Sequence, residues 1–126
     1  MRVLVYGGRN YGVLTDNQGA YIGMDAKAAL KIVKAFTWFQ VSYKDTIISG
    51  GATGADALGE AVAQAFHAHT EVHPAEWDLY GRSAGPIRNQ QMLESKIDVA
   101  IKCPGGKGTT HMTGLLEEAG VPIYEV

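Results

Sequence analysis

The chain is poor in several things, and each shortage excludes something. It has one cysteine, Cys103, among 126 residues, so no internal disulfide can form. That fits a reducing compartment. Cys103 ends an apolar run and reads as a buried thiol that packs like a small hydrophobe. No apolar stretch approaches the roughly 18 residues a membrane span needs. The opening "MRVLVYGG" carries one charge and too short an apolar segment for a signal peptide. A cytoplasmic protein with no membrane partner is expected. There is no excess of positive charge either, since the formal net charge is −2. That argues against a general nucleic-acid binder, though a local pocket on an acidic protein can still be positive. With 46% hydrophobic and 19% charged residues, the chain reads as one compact domain over 1–126.

Familiar chemical signatures are absent as well. In "GGKGTT" Lys107 is followed by Gly108, so the Walker spacing fails. The dinucleotide pattern G-x-G-x-x-G does not occur, nor do H-E-x-x-H, a cysteine pair or G-x-S-x-G. His67, His69 and His73 lie close in sequence, but a helix end and a strand separate them. No metal and no cofactor are expected.

What is present is an alternation. Residues 2–6, "RVLVY", read as a buried parallel strand stopped by Gly7-Gly8. Residues 12–24 hold three glycines and no clean period, so a loop or mobile flap is expected there. A helix over 25–41 follows, with Ala29, Ile32, Val33, Phe36 and Gln40 on one stripe. Trp38 lies off that stripe, against a second subunit or its own surface. Strand 45–49 stops at Gly50-Gly51. Helix 53–67 has Leu58, Val62, Ala65 and Phe66 as its stripe, and Thr53 with Asp56 fits a capping start. Strand 70–73, a loop, and a helix from Pro86 to about Ser95 come next. Strand 98–103 stops at Gly105-Gly106. A helix over 109–119 closes at Gly120, and "PIYEV" is the fifth strand. Strand and helix in alternation predict an α/β fold, a parallel sheet covered on both faces.

Three strands thus end in glycine pairs, and these loops hold nine of the sixteen glycines (7, 8, 12, 50, 51, 54, 105, 106 and 108). In an open α/β sheet, ligands bind beyond the strands' carboxyl ends. Glycine there lets backbone N–H groups approach an anion, and the next helix adds its positive end. The expected phosphate contacts are Gly7, Gly8 and Arg9; Gly50, Gly51, Thr53 and Gly54; and Gly105, Gly106, Lys107, Gly108, Thr109 and Thr110. Arg82, Arg88 and Asn89 flank the start of the helix that opens at Pro86, and arginine suits bidentate phosphate recognition. Asp56 suits either a ribose hydroxyl or its own helix dipole. Trp77 and Tyr80 suit either a base or the packing of their loop.

"GGRNY", "ISGGATGAD", "PAEWDLYGRSAGPIRNQQML" and "PGGKGTTHM" together resemble the YspA-type branch of the SLOG superfamily. That superfamily includes the Lonely Guy phosphoribohydrolases, the DNA-processing protein DprA and nucleotide-sensing domains of bacterial defence systems. The likeness covers nearly the whole chain except 12–24. It implies a single Rossmann-like, three-layer domain with a five-stranded parallel sheet, binding a nucleotide or nucleotide-derived molecule. Dimers occur among such relatives, so a homo-oligomer is expected.

In the Lonely Guy enzymes the phosphate lies on the P-G-G-x-G-T loop, and an arginine and a glutamate assist cleavage between base and ribose. The arginine matches Arg88. The glutamate position is Met112 here. Cleaving an N-glycosidic bond builds positive charge on the sugar, which a carboxylate stabilises and methionine does not. Met112 also falls on an apolar stripe with Leu115, Leu116 and Ala119. His111, beside it, is the remaining group able to move a proton. The sequence therefore favours a binding protein (sensor, carrier or sequestering protein). The alternative is a nucleotide N-glycosidase using Arg88 and His111.

Overall fold

The computed structural model describes residues 1–126. β1 (Arg2–Tyr6) leads into a hairpin of β2 (Val13–Thr15) and β3 (Tyr21–Met24), then α1 (Ala26–Trp38). β4 (Thr46–Ser49), α2 (Ala55–Ala65) and β5 (His69–Val72) follow. A single-turn α3 (Trp77–Tyr80) and a 3₁₀ turn (Gly81–Ser83) precede α4 (Ala84–Glu94). β6 (Val99–Lys102), α5 (Lys107–Glu118) and β7 (Ile123–Glu125) complete the chain.

Five strands form one parallel sheet in the order β5-β4-β1-β6-β7. β1 is its centre because it is apolar on both faces. Val3 and Val5 point one way, with Ile47 and Ile101, against α1 and α2. Leu4 and Tyr6 point the other way, with Ile48 and Ala100, against α4 and α5. Side chains alternate along a strand, so one apolar run feeds both layers. The result is the expected Rossmann-like α/β sandwich.

Phe36 is fully buried and meets Phe66 edge-on, with centroids 5.3 Å apart. Truncating such a ring to alanine removes about 3–5 kcal/mol. Expected stripe members that turn out exposed are Gln40, Ala65 and Ala119; Ala28, Ala35 and Ala63 are buried instead.

Three local expectations are corrected. Residues 12–24 carry an antiparallel hairpin of β2 and β3 where a loop without regular structure was expected. Asp16 orders its turn by accepting from the Gln18 and Ala20 amides at 2.8 and 2.9 Å. Thr53 and Asp56 do not form a capping box. Gly54, at φ +76°, is the cap of α2 and turns Thr53 away, so its hydroxyl donates to the Arg9 carbonyl at 3.0 Å. The fourth and fifth helices each begin two residues early, at Ala84 and Lys107. Pro86 thus lies in the first turn, where its missing N–H has no helical partner to lose.

The long helices share one stop. After each, the chain takes a left-handed residue: Gln40 at φ +56°, His67 at +58°, Lys96 at +73° and Gly120 at +74°. After α1, the Gln40 and Val41 amides return to the Thr37 and Phe36 carbonyls, which satisfies two orphan acceptors. Only the last of these positions is glycine, the residue that takes this conformation without a Cβ penalty. Replacing Gln40, His67 or Lys96 singly by glycine is expected to raise stability by about 0.5–1 kcal/mol each. Gly120→Ala should lower it by about 1 kcal/mol. Urea unfolding midpoints check both signs.

Candidate functional site: an anion cleft at the switch point of the sheet

From β1 the chain moves to β4 on one side, whereas β6 and β7 lie on the other. The order reverses between β1 and β6, and there the strand ends leave a crevice. The loops after these strands touch backbone to backbone. The Gly8 amide donates to the Pro104 carbonyl at 2.8 Å, and the Cys103 amide to Tyr6 at 2.8 Å. A Cβ on Gly7 would stand 2.6 Å from Cys103 Cβ, and one on Gly8 would stand 3.0 Å from the Pro104 carbonyl oxygen. Glycine is needed here for close approach.

Above this contact lies a cleft of about 640 Å³, within the usual range for small-molecule sites. Arg9, Arg82, Arg88 and Lys107 line it, and no carboxylate does. The first residues of α4 (Gly85, Pro86) and of α5 (Lys107, Gly108, Thr109) also form its walls. Neither helix has a side-chain cap. The uncapped N-terminus of α5 therefore faces a cationic hollow, which suits a bound anion. At α4 the Ala84 amide already returns to the Gly81 carbonyl and Pro86 has no N–H to offer.

Arg88 is the best anchored cation. Its Nη1 donates to the Gly50 carbonyl at 2.6 Å and its Nε to Asn89 Oδ1 at 3.2 Å. Buried Asn89 uses its amide nitrogen on the Gly108 carbonyl at 3.3 Å and on His111 Nδ1 at 3.0 Å. An amide N–H only donates, so His111 Nδ1 accepts and its proton sits on Nε2. His111 lines the cleft. Arg9 lies over Trp77, 5.1 Å from the ring centroid, a cation–π contact. Arg9, Arg88 and Trp77 also border a second hollow of about 370 Å³, with Gly50, Gly51 and Thr53.

Most of the expected residues converge here, and some do not. Gly7 packs behind the loop against Cys103 and Ala55, and Gly105 lies tight against Gly8 and Thr109. Thr110 turns its hydroxyl back to the Gly106 carbonyl at 3.1 Å. Gly54 borders neither of these hollows. Asp56 lines no part of them either. It is buried beside Gly50 and accepts from the Ala52 amide at 3.2 Å, so the structure gives it a framework position rather than a ribose contact. Tyr80 is likewise outside the cleft wall, while Trp77 is in it. Met112 is fully buried among Leu4, Met92 and Leu116. Buried Cys103 has its thiol pushed up to about 12 by desolvation, so it carries no reactive thiolate. Sequence reasoning placed Arg82, Arg88 and Asn89 at the start of this helix but missed Gly85 and Pro86 as parts of the wall.

Comparison with curated proteins finds the Gene 61 protein of Mycobacterium phage D29, 33% identical over 88 residues, which cover 64% of this chain and 70% of that protein. The chain belongs to the Gene 61 protein family. No protein-family model matches the sequence, and no solved structure matches it. The gene 61 relative's name carries no activity, so function rests on the cleft. No helix of this family member is long and apolar enough to cross a membrane.

Burial pushes the Asp56 carboxyl up to about 6 from 3.8, against the opposing Ala52 amide and the Arg88 charge. Burial also lowers the Arg88 pKa, and Asp56 offsets this in part. Because Asp56 holds its proton more tightly in the folded state, its contribution to stability is present below about pH 4 and lost as pH rises through about 6. The loss is on the order of 2–3 kcal/mol. Asp56→Asn should remove that slope. Unfolding free energies of both proteins at pH 4, 5, 6 and 7 check it, and parallel curves would contradict the assignment.

Proposed function

We propose that the chain binds a nucleotide or nucleotide-derived small molecule, with its phosphate in the cleft between the β1 and β6 loops. One observation carries this reading: four cations and the uncapped N-terminus of α5 surround a hollow without a carboxylate, on a chain of net charge −2. A cationic patch on an acidic protein marks where an anion is held. The 106–109 backbone cradles the phosphate, and Lys107 and the Arg88 guanidinium neutralise it. The likeness of these loops to YspA-type SLOG proteins points the same way.

Binding is favoured over N-glycosidic cleavage because the cleft wall offers no carboxylate to stabilise a charged sugar. The Nε2–H of His111 serves as a phosphate donor in this reading. Sensing, carriage or sequestration of a nucleotide signal fits such a site.

The expected result is a rise in melting temperature with at least one member of a panel of nucleoside monophosphates, NAD, ADP-ribose and cyclic nucleotides. Arg88→Ala should weaken that ligand by about 10- to 100-fold, the range for a charged hydrogen-bond donor. Lys107→Ala should weaken it less, and added salt should weaken it further. Chromatography of the same mixtures should show no free base. Base release would replace the binding reading with the glycosidase one, and no stabilisation by any compound would overturn the phosphate site.

A further inference from the structure

The hairpin has a purpose that the phosphate cleft does not use. Gly12, at φ +72°, brings its base against α2; a Cβ there would stand 2.8 Å from Leu58 Cδ2. The Asp25 amide donates to the Gly12 carbonyl at 2.8 Å and closes the hairpin's other end. So seated, the hairpin and α2 enclose a slot of about 440 Å³.

Its walls differ in kind from those of the cleft. Val13, Tyr21 and Met24 of the hairpin and Ala57 of α2 give it apolar sides. Asn10 and Thr15 add neutral polar groups, and Arg9 is its single cation. A second phosphate would find little there. A planar heteroaromatic group has two apolar faces and a hydrogen-bonding edge, and it fits such walls. The slot also continues the cleft. Arg9 borders the cleft, the middle hollow and the slot, and Thr53 borders the last two.

We propose that the slot beneath the 13–24 hairpin takes the nucleobase of the ligand whose phosphate occupies the cleft, an inference that rests on the phosphate reading above. The base lies against Tyr21 and Met24, and Asn10 reads its edge.

Two variants and two kinds of probe test this. Ala57→Phe fills the slot from α2, and the double variant Tyr21→Ser, Met24→Ser strips its apolar wall from the exposed hairpin. Each is titrated calorimetrically with ribose 5-phosphate and with AMP, GMP, CMP and UMP. On the wild-type protein at least one nucleotide should bind about tenfold or more tighter than ribose 5-phosphate, the scale of one base stacked on an aromatic side chain. Both variants should lose that advantage and hold ribose 5-phosphate as before. Nucleotides that bind no tighter than ribose 5-phosphate overturn the slot and leave the cleft standing. So do variants that keep the advantage, or that weaken both probes alike. Failure of every probe to bind the wild-type protein overturns the phosphate reading itself, and the slot with it.

Discussion

The contact between the β1 and β6 loops is the constraint on which the rest depends. The Gly8 amide and the Pro104 carbonyl meet at 2.8 Å because neither Gly7 nor Gly8 has a side chain to keep them apart. That contact sets where β6 ends, and so where α5 begins. It also fixes Arg9, whose carbonyl receives the Thr53 hydroxyl from the third loop at 3.0 Å. Three loops from three strands are thereby tied together, through the Thr53 hydroxyl and through the Ala55 amide, which donates to the Gly8 carbonyl at 3.1 Å. Any cation they carry is placed by the sheet rather than by a mobile side chain alone.

Charge is sorted in depth around this junction. The cations face the cleft, and Asp56 lies behind Gly50 out of the wall. A chain that is acidic overall therefore presents a basic concavity. Arg88 links the two layers, since it reaches the Gly50 carbonyl, shares Asn89 and borders both hollows. The Gly50 carbonyl after β4 and the Gly108 carbonyl of α5 are thus joined by one hydrogen-bonded chain through Arg88 and Asn89.

The sheet was legible because its strands are short apolar runs ended by glycine pairs, and burial on both faces leaves no other reading of "RVLVY" or "DVAIKC". The convergence of Arg9, Arg88, Asn89 and the 106–109 loop followed from topology, since all lie at the carboxyl edge. Helix ends were less legible. Gln40, His67 and Lys96 occupy positions where glycine is the usual signal, so the first two helices were read too long at their ends. The hairpin was missed because both strands are mostly exposed, and Gly23 breaks the alternation that marks a half-buried strand. The Thr53–Asp56 pair matched a local pattern, but tertiary contacts to Arg9 and Ala52 claimed both side chains.

The stacking of Arg9 on Trp77 gives the molecule a built-in optical reporter. The chain has two tryptophans, and only Trp77 borders the cleft. Trp38 is 74% exposed on α1 and does not border the cleft. Any anion that draws the Arg9 guanidinium off the indole removes a cation from its π face. A movement of Arg9 would therefore change the surroundings of a single ring, Trp77, which needs no label to be followed.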